Sequence, residues 1–269
     1  MLNGFGLVSI LFIRTVIGTA ALCILVRGRL PKVGWKAHAL LAAAALTGVC
    51  LYFVLENIAL MYTTASNVSV IVSTSPLVTG LLAWWILRDH MPHWTYYAGF
   101  AGAMAGIWLV SGGECGESSL PGDMLALAAA VCWAVYSILI RLTDRTQLPV
   151  AIVTRTTFLY GLIFLGAALW LSGESIAVQS LTSASNILNL LFLGLGASAF
   201  CFFAWNYAVQ QLGPVRTTIF LYAVPLITVI LAAMMLAERI TPSGIWGIAL
   251  TIAGMVLAQR RPPAETGQG

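Results

Sequence analysis

Nine stretches of this 269-residue chain are runs of predominantly apolar residues, each near the length of about 20 that a helix needs to cross a bilayer. They cover Leu7–Val26, His38–Met61, Asn67–Leu87, Trp94–Val110, Met124–Leu142, Val150–Leu171, Ile187–Gln211, Thr217–Ala237 and Ser243–Ala258. Lipid offers the backbone no hydrogen-bond partner, so a spanning segment is either a helix or part of a closed barrel. The alternating pattern of barrel strands is absent. The expected fold class is therefore all-α integral membrane, a polytopic helical bundle. Charged residues make up 8% of the chain, against roughly 25% in soluble domains, so a water-facing surface cannot be covered.

The runs are also duplicated. Asn57 matches Asn206, Pro76 matches Pro225 and Asp89 matches Glu238, all at an offset of 149 residues. Arg14-Thr15 matches Arg155-Thr156 at an offset of 141. Repeated hydrophobic units of this kind mark transporters built from two halves. The second half holds five spans and the first half four, and Arg14 matches the second span of the later half. The element without a counterpart is thus the first helix, and a late start at Met1 is the favoured reading. Five helices per unit would make the repeats inverted with respect to each other. The organisation reads as residues 1–113, a first repeat without its first helix; residues 121–260, the second repeat; and residues 261–269, a polar tail.

Arg27, Arg29, Lys32, Lys36, Arg88, Arg141, Arg145, Arg216, Arg260 and Arg261 fall in loops on one side, whereas the other side holds only Arg239 among Glu114, Glu117, Asp123 and Glu174. This bias puts the basic side, and with it the C-terminus, in the cytoplasm, with the chain as a multi-pass protein of the inner membrane. The net charge of +4 is scattered between apolar runs and is no nucleic-acid footprint. His38, His90 and His93 lie near span ends without metal-ligand spacing, and neither a phosphate-cradling Gly-Lys-Ser/Thr loop nor Gly-x-Ser-x-Gly is present. Neither an enzyme nor a cofactor is expected.

The segment Ala59-Leu60-Met61-Tyr62-Thr63-Thr64-Ala65-Ser66, then Ser75-Pro76 and Leu87-Arg88-Asp89, resembles the drug/metabolite transporter superfamily, specifically its EamA-type ten-helix exporters. The second copy carries the likeness through Ala208 to Gly213, Val224-Pro225, Leu236-Ala237-Glu238-Arg239 and Ile252-Ala253-Gly254. It extends over nearly the whole chain as a diffuse pattern, informative about fold and not about substrate. The departures are the absent first helix, which the resemblance implies would line the pathway, and Asp89 where the family usually has Glu.

Several polar groups stand out inside the spans. Glu56 would be costly at mid-membrane, about 2.5–3.5 kcal/mol on insertion scales. It reads as a cation-recognising or proton-carrying group, as a carboxylate snorkelling to the outer interface, or as a partner of Arg14. Tyr52 and Gly48 precede it at i−4 and i−8, giving one helical stripe with room beside it. Arg14 and Arg155 read mainly as structural anchors for helix ends, with binding of a substrate carboxylate as the other option. Asn57 and Asn206 read mainly as interhelical glue, or as amides facing a cavity. Ser69, Ser73 and Pro76 match Thr218, Tyr222 and Pro225 on one helical face. Each proline kinks its helix and frees a carbonyl, at Val72 and Leu221, which makes a hinge or a static kink. Trp133, Tyr136, Ser137 and Trp205 read mainly as plain packing or interface anchors, or as an aromatic wall suited to apolar or cationic substrates. The small residues Ala98, Gly102 and Gly106, with Gly244, Gly247 and Gly254, read as close packing or a homodimer seam.

Taken together, the resemblance implies a secondary carrier exporting small metabolites (amino acids or related amines) or drugs by alternating access, with Pro76 and Pro225 as hinges. Its partners are a small-molecule substrate and the lipid bilayer. Two alternatives stay open: an exchanger of sugar-phosphate or nucleotide-sugar type, which would need Arg14 and Arg155 to face the centre, and a non-transporting membrane scaffold with a dry centre.

Overall fold

A computed structural model describes residues 6–26, 33–89, 91–110, 119–174, 183–224, 226–227 and 242–259. The sequence features at 228–241 and 260–269, together with Pro225, lie outside the described residues. Every regular element among the described residues is helical. They are α1 (Leu7–Leu25), α2 (Trp35–Ala59), α3 (Ala65–Val72), α4 (Ser75–Leu82), α5 (Trp94–Val110), α6 (Leu120–Leu142), α7 (Val150–Ser172), α8 (Ala184–Leu212), α9 (Pro214–Ile219) and α10 (Pro242–Gln259). Seven described segments are long and apolar enough to cross a membrane, with α3 and α4 forming one of them. The fold is thus a polytopic helical membrane protein, and α5 adds a further apolar helix of 17 residues.

Turn chemistry sets the boundaries. Thr64 caps α3 by accepting from the Asn67 backbone N–H at 3.3 Å, satisfying one of the donors a helix start leaves orphaned. Gly173 closes α7 with φ +66, a conformation that glycine adopts without a Cβ penalty.

The chain forms two compact units, each drawing on both sequence repeats. The first unit combines Met1–Asn57 with Val135–Gly213, and the second combines Ile58–Ala134 with Pro214–Gly269. Within the first unit, α1 packs on α7 and α8. Both α2 and α8 widen into π-helical stretches, Ala45–Leu51 and Phe192–Phe200. Adding the repeat offset of 149 to 45–51 gives 194–200, so the widening is itself duplicated. Stretches of this kind are rare and recur at functional sites.

Within the second unit α5 packs closely on α10. A Cβ at Gly106 would lie 2.6 Å from the Gly247 carbonyl oxygen, and one at Gly254 would lie 2.4 Å from the Ala103 backbone nitrogen. The small-residue stripe of the sequence reading is therefore engaged inside the chain, most closely through Gly99, Ala103 and Gly106, with Gly102 at its edge, where a Cβ would lie 3.6 Å from the Gly254 Cα. The register differs because the contact follows the i, i+4, i+7 face, and 99, 103 and 106 lie on it.

Candidate functional site

The first unit carries opposite charges in its interior. Arg14, on α1, is only 9% exposed. Its Nε donates to Ser198 Oγ at 3.1 Å, and its guanidinium carbon lies 4.0 Å from the centroid of the Phe53 ring, a position that ring-face electrostatics favours. From α2, Tyr52 donates its hydroxyl to Glu56 Oε1 at 3.0 Å, which the i, i+4 spacing permits. Glu56 and Tyr52 are within electrostatic reach of Arg14. The two charges nevertheless do not meet: among the described residues, neither the terminal nitrogens of Arg14 nor Glu56 Oε2 makes a hydrogen bond or ion pair.

Aromatic rings back this arrangement. Phe202 lies against Phe53, Tyr136 and Phe158 with centroids 5.9, 5.7 and 5.2 Å away. The room expected beside Gly48 is filled: a Cβ there would fall 2.3 Å from Tyr136 Cδ2, so Gly48 serves as the seat of the Tyr136 ring. Tyr136 is fully buried and donates to Asn206 Oδ1 at 2.6 Å, while Asn206 Nδ2 donates to Thr154 Oγ1 at 2.9 Å. The Asn206 amide is thus engaged at both ends across three helices, satisfying the rule that buried polar groups find partners. Its repeat mate Asn57 donates, among the described residues, only to the Phe53 carbonyl of its own helix, at 2.8 Å. Ser137 is wholly buried, and Trp205 is half-buried on α8.

Arg155 is used differently. It is 4% exposed, and its Nη1 donates at 2.7 Å to the carbonyl of Val26, the residue that ends α1. A cation there meets the negative end of the helix dipole and an unpaired carbonyl at once.

In the second unit the chain breaks between α3 and α4, where Pro76 stands in the first turn of α4. The Val72 carbonyl that Pro76 leaves without its helical donor accepts instead from Ser75 Oγ at 2.6 Å. Ser73 Oγ donates to the Ser69 carbonyl at 2.7 Å, and Thr218 Oγ1 to the Pro214 carbonyl at 2.9 Å. These hydroxyls are therefore turned onto their own helices. Tyr96 donates its hydroxyl to the Pro76 carbonyl. Tyr222 is fully buried in the same cluster as Tyr96, and its hydroxyl has no partner among the described residues. It ends a 3-10 turn, Phe220–Tyr222, that interrupts the chain after α9; the break after Ser73 therefore recurs at the repeat offset. Trp133 is half-buried and belongs to this unit.

Sequence reasoning missed Ser198, Phe53, Thr154, Ser75 and Tyr96. Ser75 had a local signal, since a hydroxyl preceding a proline lies within reach of the freed carbonyl. The others are defined by contacts from distant helices.

A family model described as EamA-like transporter family matches residues 1–112 and 120–259. A probable terminal-alkyne amino-acid exporter of Streptantibioticus cattleyicolor is 30% identical over 269 residues, covering 97% of this chain and 86% of that protein. An uncharacterized transporter of Archaeoglobus fulgidus is 30% identical over 226 residues, covering 81% and 74%. A protein of known crystal structure superposes with a TM-score of 0.78 at 19% identity, covering 96% of this chain and 89% of the other, which bears on the fold alone.

Proposed function

This chain belongs to the EamA-like transporter family, and on that premise we propose that it exports small metabolites, amino acids or related amines among them, across the cytoplasmic membrane by alternating access. The observation that carries the proposal is the pair Arg14 and Glu56 in the first unit, opposite charges that each keep a polar end unengaged among the described residues. Interior charges are costly in a membrane protein and are usually retained where a pathway uses them. The amino-acid exporter among the relatives supports the substrate class and the outward direction. The one-sided loop charge supports an inner-membrane location with a cytoplasmic C-terminus. In this reading the breaks near Pro76 and Pro225 supply the hinges. Glu56 is the candidate proton site if export is coupled, and no enzymatic step takes part.

The two alternatives are less well supported. An exchanger of phosphate-bearing substrates needs a basic cavity, yet Arg155 already holds the end of α1, leaving Arg14 beside a carboxylate. A scaffold has no use for interior charges with unengaged ends. The test is flux in proteoliposomes of labelled amino acids, amines and cationic dyes, with and without a pH gradient, for the wild type and Glu56→Gln. Selective flux that follows the gradient and fails in Glu56→Gln is the expected result. Flux indifferent to both would make the protein a facilitator, and no flux for any probe would remove the transporter reading.

A further inference from the structure

We infer that Arg14 and Glu56 form a two-ended clamp for a zwitterion, Arg14 taking a carboxylate and Glu56 an ammonium on the same small molecule. The inference rests on the transporter reading above and names the ligand chemistry of that site. Each charge is oriented by local partners, and its outer end has no hydrogen-bond or ion-pair partner among the described residues. Ser198 fixes Nε of Arg14 at 3.1 Å and the Phe53 ring lies 4.0 Å from its guanidinium carbon, so the terminal nitrogens are presented as a fork. A fork of that geometry matches a carboxylate with two parallel hydrogen bonds. Tyr52 fixes Oε1 of Glu56 at 3.0 Å and leaves Oε2 to accept from a cation.

The lack of a direct ion pair between the charges, among the described residues, is the second observation. Opposite charges in a low-dielectric interior attract strongly, and the usual outcome is direct contact. Here they influence each other electrostatically without closing into an ion pair. A ligand carrying both charges complements both ends at once, whereas a simple amine leaves Arg14 uncompensated and a simple acid leaves Glu56 uncompensated. Each one-ended ligand therefore forfeits a charge-assisted hydrogen bond and leaves a buried charge without its partner.

The test uses matched skeletons with the full chain in proteoliposomes: alanine, leucine and phenylalanine, the amines lacking their carboxylates, and the acids lacking their ammonium groups. The wild type is expected to move at least one zwitterion about 10- to 100-fold faster than either of its one-ended analogues. Arg14→Met should abolish that advantage while keeping amine flux, Glu56→Gln should abolish it while keeping acid flux, and Arg14→Lys should restore part of it. Elution as a single species in gel filtration establishes that each variant is folded; if Arg14→Met fails this check, Arg14→Lys and Glu56→Gln carry the test. Equal wild-type flux of a zwitterion and its amine, or equal loss of all probes in both folded variants, would overturn the clamp and leave the carrier standing. Flux of dyes without any member of the matched sets would also overturn the clamp alone, whereas absence of all flux would overturn both.

Discussion

Arg14 and Arg155 occupy matching places in the two repeats, each followed by threonine, yet their surroundings in the first unit differ in kind. Arg155 donates to the carbonyl that ends α1, a backbone group needing a donor whatever the protein does. Arg14 is held by a hydroxyl and a ring, faces a carboxylate it does not touch, and keeps its terminal nitrogens unengaged. One arginine completes a helix, and the other, in the clamp proposed above, receives a ligand. The same divergence separates Asn206, engaged at both ends of its amide, from Asn57, which among the described residues bonds only to its own helix. Duplication supplied equal residues, and the neighbours each acquired decided their use.

Substitutions can sharpen that contrast. Arg155→Met should lower stability by about 2–3 kcal/mol, because it strips a charged donor from a helix-terminal carbonyl. Arg14→Met should lower it by roughly 1 kcal/mol less, since replacing an interior charge by an apolar chain of similar volume also removes a desolvation cost. Thermal unfolding in detergent measures both, and equal losses would break the distinction. For the asparagines, Asn206→Ala should cost about 2 kcal/mol by leaving Tyr136 and Thr154 without their shared partner. Asn57→Ala should cost only about 0.6 kcal/mol, and the same unfolding series reads the difference. Ser198→Ala releases Nε of Arg14 without removing its charge. The expected effect on stability is the smallest of the series, while KM for a transported zwitterion rises about tenfold, measured by concentration-dependent flux. A loss of stability matching that of Arg155→Met would instead make Ser198 part of the scaffold.

Much of the frame was legible in the chain. The apolar runs and their turn residues yielded the helices, and Pro76 marked the break between α3 and α4. The spacing of Tyr52 and Glu56 put them on one face, where they do bond. The π-helical stretches had no comparable signal, because a widened turn depends on what packs beside it. Gly48 shows the same limit. Its small size suggested open space, and the space is taken by Tyr136, 88 residues further along the chain.

The sequence by itself determined that this is a helical membrane protein, because hydrophobicity, helix length and proline breaks are properties of local stretches, and its matched residues raised the expectation of two related halves. It also determined which ionisable groups lie inside the spans. Only the tertiary structure decided that Arg14 meets Ser198, 184 residues away, while Arg155 meets the end of α1. A hydrogen bond requires placement within a few tenths of an ångström, and such placement comes from packing between helices that no local pattern encodes.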